Sequence, residues 1–187
     1  MNDESGHIEI AHRSAGTTTA TKPRKALPPS GASSRPGIWF DVEPFRAIMR
    51  ELPPLFYEHW QEIALDKDVI ALDPDFDRYV AMDLAGILLT HTVRVDGILV
   101  GYFISLVLPA LHYRRSLQAF TDIYYLAKAA RRGHLAQRFF QYVAADLKRR
   151  GVQKQSIMRK LHTDPRIGLL WERLGYRPIE VHYSKLL

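Results

Sequence analysis

Residues 124–140, YYLAKAARRGHLAQRFF, contain the transition that decides the fold. An apolar run ends, two arginines and a glycine follow, and apolar residues at helical spacing begin at once. We interpret this as a strand, a turn at 131–133 and a helix from His134 to Arg150. A helix N-terminus presents unpaired N–H groups, and a preceding glycine lets an anion approach them. The turn is either a phosphate-binding loop or an ordinary connection with its arginines in water.

The flanking sequence supplies the other elements of a mixed sheet. Two strands upstream are joined by Asp96-Gly97, a strong hairpin signal, and residues 117–127 form a third strand. Before them, helical spacing at 45–52 is broken by Pro53 and Pro54, and a second helical piece covers 55–64. Downstream we predict a strand at 155–161, a helix near 165–174 and a last strand at 176–186. The order α-α-β-β-β-α-β-α-β predicts an α/β fold of the α+β type, with helices on both faces of a central sheet.

Composition divides the chain into a leader and one domain. Residues 1–38 are rich in Ser, Thr, Pro and Gly, which predicts a flexible leader, and residues 39–187 form a compact unit. The absence of cysteine excludes disulfides, zinc-thiolate sites and a cysteine nucleophile. No secretory signal begins the chain, so we expect a cytoplasmic protein. The histidines within strand patterns lack metal-ligand spacing, so no metal site is predicted.

Positive charge is concentrated in residues 111–160. This span holds twelve Lys and Arg and two acids, a balance of +10, whereas the whole chain carries +6. Such a field attracts a phosphorylated cofactor, a nucleic acid or an anionic surface. The longest uncharged apolar run, residues 98–111, is too short to span a membrane, and we expect no membrane partner.

The order of elements and two motifs together resemble the GNAT superfamily of acetyl-CoA-dependent N-acetyltransferases. RRGHLA at 131–136 lies where that family has its Arg/Gln-x-x-Gly-x-Gly/Ala turn, and LLWERLGYRPIE at 169–180 matches its helix-strand motif. The resemblance covers roughly residues 45–187 and implies a mixed, mostly antiparallel sheet. This turn together with the ending YSKLL looks most like GNAT-type proteins encoded by tailed bacteriophages, which implies the cytoplasm of an infected bacterial host.

The resemblance implies acetyl-CoA as cofactor and direct transfer of its acetyl group to a small-molecule or protein amine. The main-chain amides and cationic side chains of the turn would hold the pyrophosphate, and the end of the third strand would supply an oxyanion donor. The residues implied in cofactor binding are Leu126, Arg131, Arg132, Gly133, His134, Leu135, Ala136, Gln137 and Arg138.

Two departures from the family pattern bear on catalysis. The first glycine of the turn pattern is replaced by His134, with a glycine one residue earlier. The tyrosine that protonates the thiolate in many GNATs is replaced by Trp171, whose indole cannot act as an acid near neutral pH. Tyr124, Tyr125 or solvent would take over this role. Asp122 is the candidate general base, although an ion pair with Arg114 or Arg115 is an equally good interpretation.

Three functions remain open at this point. The first is acetyl transfer to an amine. The second is a GNAT-fold virion or assembly protein that binds without catalysing. The third is nucleic-acid binding by the +10 segment and the basic leader.

Overall fold

The computed structural model describes residues 37–187, so the predicted leader at 1–38 lies almost wholly outside the described residues. These residues form five strands: β1 Ile38–Val42, β2 Leu88–Val95, β3 Ile98–Ala110, β4 Tyr113–Leu126 and β5 Lys154–Ser156. They also form five α-helices: α1 Phe45–Ile48, α2 Leu52–Ile63, α3 Phe76–Leu84, α4 Leu135–Arg149 and α5 Arg166–Arg173. A single 3₁₀ turn, Lys128–Ala130, leads from β4 towards α4.

The five strands form one sheet in the order β1-β2-β3-β4-β5. The first four are antiparallel neighbours, and β5 is parallel to β4. The predicted hairpin is confirmed, because Asp96 and Gly97 both adopt positive φ angles, 50° and 84°. These are the left-handed conformations that a two-residue hairpin turn requires.

Helices cover both faces of the sheet, as predicted. Helices α1, α2 and α3 pack on one face, where Tyr102, Ile104 and Tyr125 point. Helices α4 and α5 pack on the other face, against Phe103 and Ala119. Since side chains alternate along a strand, neighbouring residues of β3 and β4 contribute to different cores.

Two N-terminal elements were not predicted. Strand β1 pairs with β2 along its whole length. Helix α3 begins after Asp75, whose carboxylate accepts a hydrogen bond from the Arg78 amide and caps the helix. The predicted division into two helical pieces is present, but the break lies at residues 49–51. Pro53 and Pro54 lie in the first turn of α2, where an intrahelical N–H bond is not made.

The predicted strand at 176–186 was also wrong, because these residues form no strand. The alternation of Ile179, Val181 and Tyr183 marks apolar positions, but a strand also needs a ladder of main-chain partners. Pro178 has no N–H to donate, and β5 is only three residues long rather than the predicted seven. Among residues 37–187, no helix is long and apolar enough to cross a membrane.

Candidate active site

Strands β4 and β5 run side by side only briefly. Their parallel pairing covers Gln118–Phe120 and Lys154–Ser156, and Thr121 Oγ1 donates to the Ser156 carbonyl at 2.8 Å. Strand β4 continues to Leu126, whereas no strand follows Ser156 on that side. The last residues of β4 therefore have an open edge.

Main-chain alternation decides which groups of β4 face this open edge. The amide of Ala127 donates to the Val100 carbonyl of β3 at 2.8 Å. Because hydrogen-bonded and non-bonded pairs alternate in an antiparallel ladder, Tyr125 points its main-chain groups to β3, while Leu126 points them away. The Leu126 carbonyl accepts a bond from Arg131 Nε at 2.7 Å, and the Leu126 N–H points to the open edge.

Asp122, the predicted general base, lies in a β-bulge of β4. Ile123 pairs with Ile104 and Thr121 pairs with Ser105, so Asp122 is the extra residue of β4. Its exposed carboxylate accepts a 2.5 Å hydrogen bond from the Tyr79 hydroxyl of α3. In the part of the chain that the structure describes, Asp122 makes no ion pair with Arg114 or Arg115.

The predicted turn leads into α4 with several free amides. Gly133 adopts φ +56°, and His134 occupies the N-cap position without a side-chain cap. The predicted helix boundaries are confirmed to within one residue at each end. Within residues 37–187, four amides at this helix start have no acceptor, those of Gly133, His134, Ala136 and Gln137. The Leu135 side chain is buried in the core beneath them.

The arginines of the turn differ in their surroundings. Arg131 forms a two-point ion pair with Glu62 of α2, at 2.6 and 2.7 Å, and lies over the Tyr125 ring. Hydrogen bonding to Arg131 lowers the pKa of Glu62. Arg132 is exposed, and Arg138 is exposed over the Phe40 ring. Arg131 thus ties α2 to the end of β4, and the other two cations remain available at the helix start.

The two predicted tyrosines lie on opposite faces of the sheet. Tyr124 stacks on Phe103 and meets the edge of Trp171, with 5.6 Å between the ring centres of Tyr124 and Trp171. Burial raises the pKa of Tyr124 well above its usual range. Tyr125 faces α2, where its hydroxyl lies 3.2 Å from Glu58 and burial raises its pKa to about 12. Of these two tyrosines, Tyr124 is the one that contacts Trp171, the residue that the sequence resemblance aligns with the family's tyrosine.

A polar network beside Tyr125 was missed by sequence reasoning. His59 of α2 is buried, shares a 2.8 Å hydrogen bond with the Tyr102 hydroxyl and stacks on Tyr125. Desolvation lowers the pKa of His59 to about 4, so the ring is neutral at pH 7. Helical spacing could have predicted the burial of His59, because it lies three and four residues after Phe56 and Leu55 on the same buried face of α2.

Acid is expected to destabilise the protein through His59. The folded pKa lies below the unfolded value of about 6.5, so this stabilisation is present above pH 6.5 and is lost as pH falls towards 4. Between pH 7.5 and 4.5 the unfolding free energy should fall about 2–3 kcal/mol further in the native protein than in His59→Asn, which retains a polar group near Tyr102. Urea denaturation at both pH values measures this difference. Equal losses in the two proteins would contradict the assignment.

No group of three or more His, Asp or Glu side chains is arranged to hold a metal ion in the described range 37–187. The arrangement that remains is an open strand edge, a row of free helix amides and protonated tyrosines on both sides. An extended ligand with an anionic end fits these donors.

At the sequence level, no protein-family model and no curated protein matches the chain. Solved structures do match. Ribosomal-protein-alanine N-acetyltransferase from Brucella melitensis biovar Abortus 2308 is 18% identical, with a TM-score of 0.60 over 81% of this chain and 99% of that one. An aminoglycoside acetyltransferase from an uncultured soil metagenomic sample is 16% identical, with a TM-score of 0.65 and the same coverage.

A third match extends the likeness to a structure with a cofactor. A predicted acetyltransferase from Clostridium acetobutylicum, in a structure with acetyl-CoA, is 11% identical, with a TM-score of 0.57 over 80% of this chain and 96% of that one. At these low sequence identities, the structural similarity shows a shared fold and nothing more. Since it extends over about four fifths of the chain in each case, the chain has the fold of the GCN5-related N-acetyltransferase (GNAT) superfamily.

Proposed function

We propose that the protein transfers an acetyl group from acetyl-CoA to an amine by direct attack in a ternary complex. The observation that carries the proposal is the end of β4, which continues to Leu126 without a β5 partner, together with the free amides at the start of α4. Acetyl-CoA combines a diphosphate with a long arm that ends in a thioester. The amine nitrogen forms the new C–N bond, the C–S bond breaks, and holding the two reactants together provides much of the rate.

The start of α4 would hold the diphosphate. Gly133, His134, Ala136 and Gln137 offer main-chain N–H groups without other acceptors, at the positive end of a 15-residue helix. Arg132 and Arg138 add charge from exposed positions. In this proposal Arg131 has a positioning role, because its guanidinium is occupied by Glu62.

The open edge of β4 would hold the arm and stabilise the reacting carbonyl. The Leu126 N–H points to this edge, and it is the oxyanion donor in our proposal. One such donor contributes about 10²- to 10³-fold to rate. Strand alternation excludes the neighbouring Tyr125 amide, which faces β3.

Two side chains on opposite faces of β4 would carry out the proton transfers, one as a general base and the other as a general acid. Asp122, whose carboxylate is exposed and held by Tyr79, is the proposed base for the amine proton. Tyr124 is the proposed acid for the departing thiolate, because its hydroxyl is protonated at neutral pH and its ring contacts Trp171. Trp171 itself has no acidic proton to give.

Gln137→Glu tests the cofactor site directly. The new carboxylate should repel the diphosphate and weaken acetyl-CoA binding about 10- to 100-fold. The same charge favours the helix dipole, so thermal stability should be unchanged or slightly raised. Gln141→Glu places an identical change one turn further along α4 and is the matched control. Titration calorimetry with acetyl-CoA and CoA measures both, and no binding by the native protein at millimolar ligand would end the proposal.

A second candidate function is a GNAT-fold protein that binds without catalysing. Trp171 favours it, because an indole cannot protonate a departing thiolate near neutral pH. Its buried N–H also has no hydrogen-bond partner among the described residues. Turnover of acetyl-CoA with an aminoglycoside, a polyamine or an alanine-ended peptide would count against this candidate. Binding of CoA, with no turnover of acetyl-CoA in the presence of each of these three acceptors, would support it.

A further inference from the structure

Cations of the +10 segment lie at both ends of α4. Arg131, Arg132 and Arg138 lie at its start, as described above, and Lys128 lies in the 3₁₀ turn before it. Arg114 and Arg115 begin β4, Lys148 ends α4 and Lys154 begins β5, and all four side chains are exposed. We call this second group the distal basic face: Arg114, Arg115, Lys148 and Lys154.

The distal basic face lines two adjoining depressions. One, of about 390 Å³, is lined by residues 113–116 and Gln153. The other, of about 430 Å³, is lined by residues at the end of α4 and by 152–155. Gln153 borders both depressions, and its amide donates to the Leu117 carbonyl at 2.9 Å. The two depressions therefore form one continuous surface with the cations along its sides.

No carboxylate lines these depressions among the described residues. The nearest acid along α4, Asp146, is buried, and its oxygens are engaged by Arg149, Arg150 and His91. The charge of the distal basic face is therefore not compensated by neighbouring acids. Surface cations without acidic partners attract polyanions.

The proposed acetyl-CoA site does not account for this charge. Helix α4 has 15 residues, so its two ends are about 22 Å apart. Phosphates held at the start of α4 are beyond two Debye lengths from the other end at physiological salt. The charge of the distal basic face is therefore independent of the proposed acetyl-CoA site.

We propose that the distal basic face binds single-stranded nucleic acid. The phosphates of a nucleic acid strand match a group of four exposed cations, and Tyr113, which is 67% exposed, lies beside Arg114 in the lining of the first depression. Exposed aromatic rings next to cations stack on unpaired bases. A duplex offers no unpaired base to Tyr113, which is the reason for choosing the single strand.

Fluorescence anisotropy with a labelled 20-nucleotide single strand tests this from 50 to 300 mM NaCl. With four phosphates neutralised, log K should fall against log salt with a slope of about −3. Arg114→Ala/Arg115→Ala should bring the slope to about −1.4. Tyr113→Ala should weaken binding about 5- to 100-fold with the slope unchanged. Acetyl-CoA binding should be unchanged in these variants, which separates this proposal from the proposed function.

The control is Arg46→Ala/Arg50→Ala, which removes two exposed arginines outside the distal basic face, one in α1 and one two residues after it. An equal loss in this control would show adventitious attraction to net charge and would overturn the proposal. So would equal affinity for a duplex of the same length, or stronger binding to phosphatidylserine vesicles than to the single strand. Unchanged affinity in Arg114→Ala/Arg115→Ala would also reject it.

Discussion

Tyr124→Phe is expected to lower kcat for acetyl transfer about 10²- to 10⁴-fold. This is the range for loss of a positioned general acid. The hydroxyl is protonated at neutral pH because burial raises its pKa, and its ring packs against Trp171, the residue that the sequence resemblance aligns with the family's usual acid. The aromatic packing with Phe103 and Phe140 is retained by phenylalanine, so the fold should be unaffected. Single-turnover assays with acetyl-CoA and the best of the three acceptors measure the change.

Two neighbouring tyrosines provide controls for this result. Tyr176→Phe removes a hydroxyl on the same side of the sheet, one bonded to Gln155, and should leave kcat within a few-fold. Tyr125→Phe removes the rival candidate on the other face and should act mainly on KM for the acceptor, since Tyr125 meets Glu58 and His59. A larger loss of kcat at Tyr125 than at Tyr124 would reverse the assignment.

Arg94→Met is expected to lower the unfolding free energy by about 3–5 kcal/mol. Arg94 of β2 is buried with Glu43, at 2.9 Å, and it also bonds both oxygens of Glu51 at 2.7 Å. Removing one partner leaves the Glu43 carboxylate buried without its counter-charge, which is a large penalty. Urea denaturation at pH 7 measures the loss.

Two further variants show whether the cost comes from the unpaired charge. Arg94→Met with Glu43→Gln should recover part of the loss, because the remaining buried group is neutral. Arg166→Met breaks the exposed pair with Asp164 and should cause no measurable change. If Arg94→Met lowers the unfolding free energy no more than Arg166→Met does, the buried ion pair contributes little to stability.

Local sequence rules correctly predicted the elements whose signals lie within the element itself. Asp96-Gly97 supplied the positive φ angles of the hairpin, and α4 carries its own signals in its apolar repeat, its terminal cations and Gly151. Helix α3 has an equally local signal, the Asp75 cap, but its apolar face is weak because none of its residues is fully buried. The missing strand at 176–186 shows the limit of these rules, because a strand depends on a partner elsewhere in the chain.

The sequence by itself determined that a strand, a glycine turn and a basic helix follow one another, since their signals lie within a few residues of each other. Only the tertiary structure decided that the pairing of β4 with β5 ends at Phe120, that Asp122 is a bulge facing Tyr79 and that Arg131 is paired with Glu62. It also placed Tyr124 and Tyr125 on opposite faces. These features depend on register and on contacts between residues up to 69 positions apart, where local spacing carries no information.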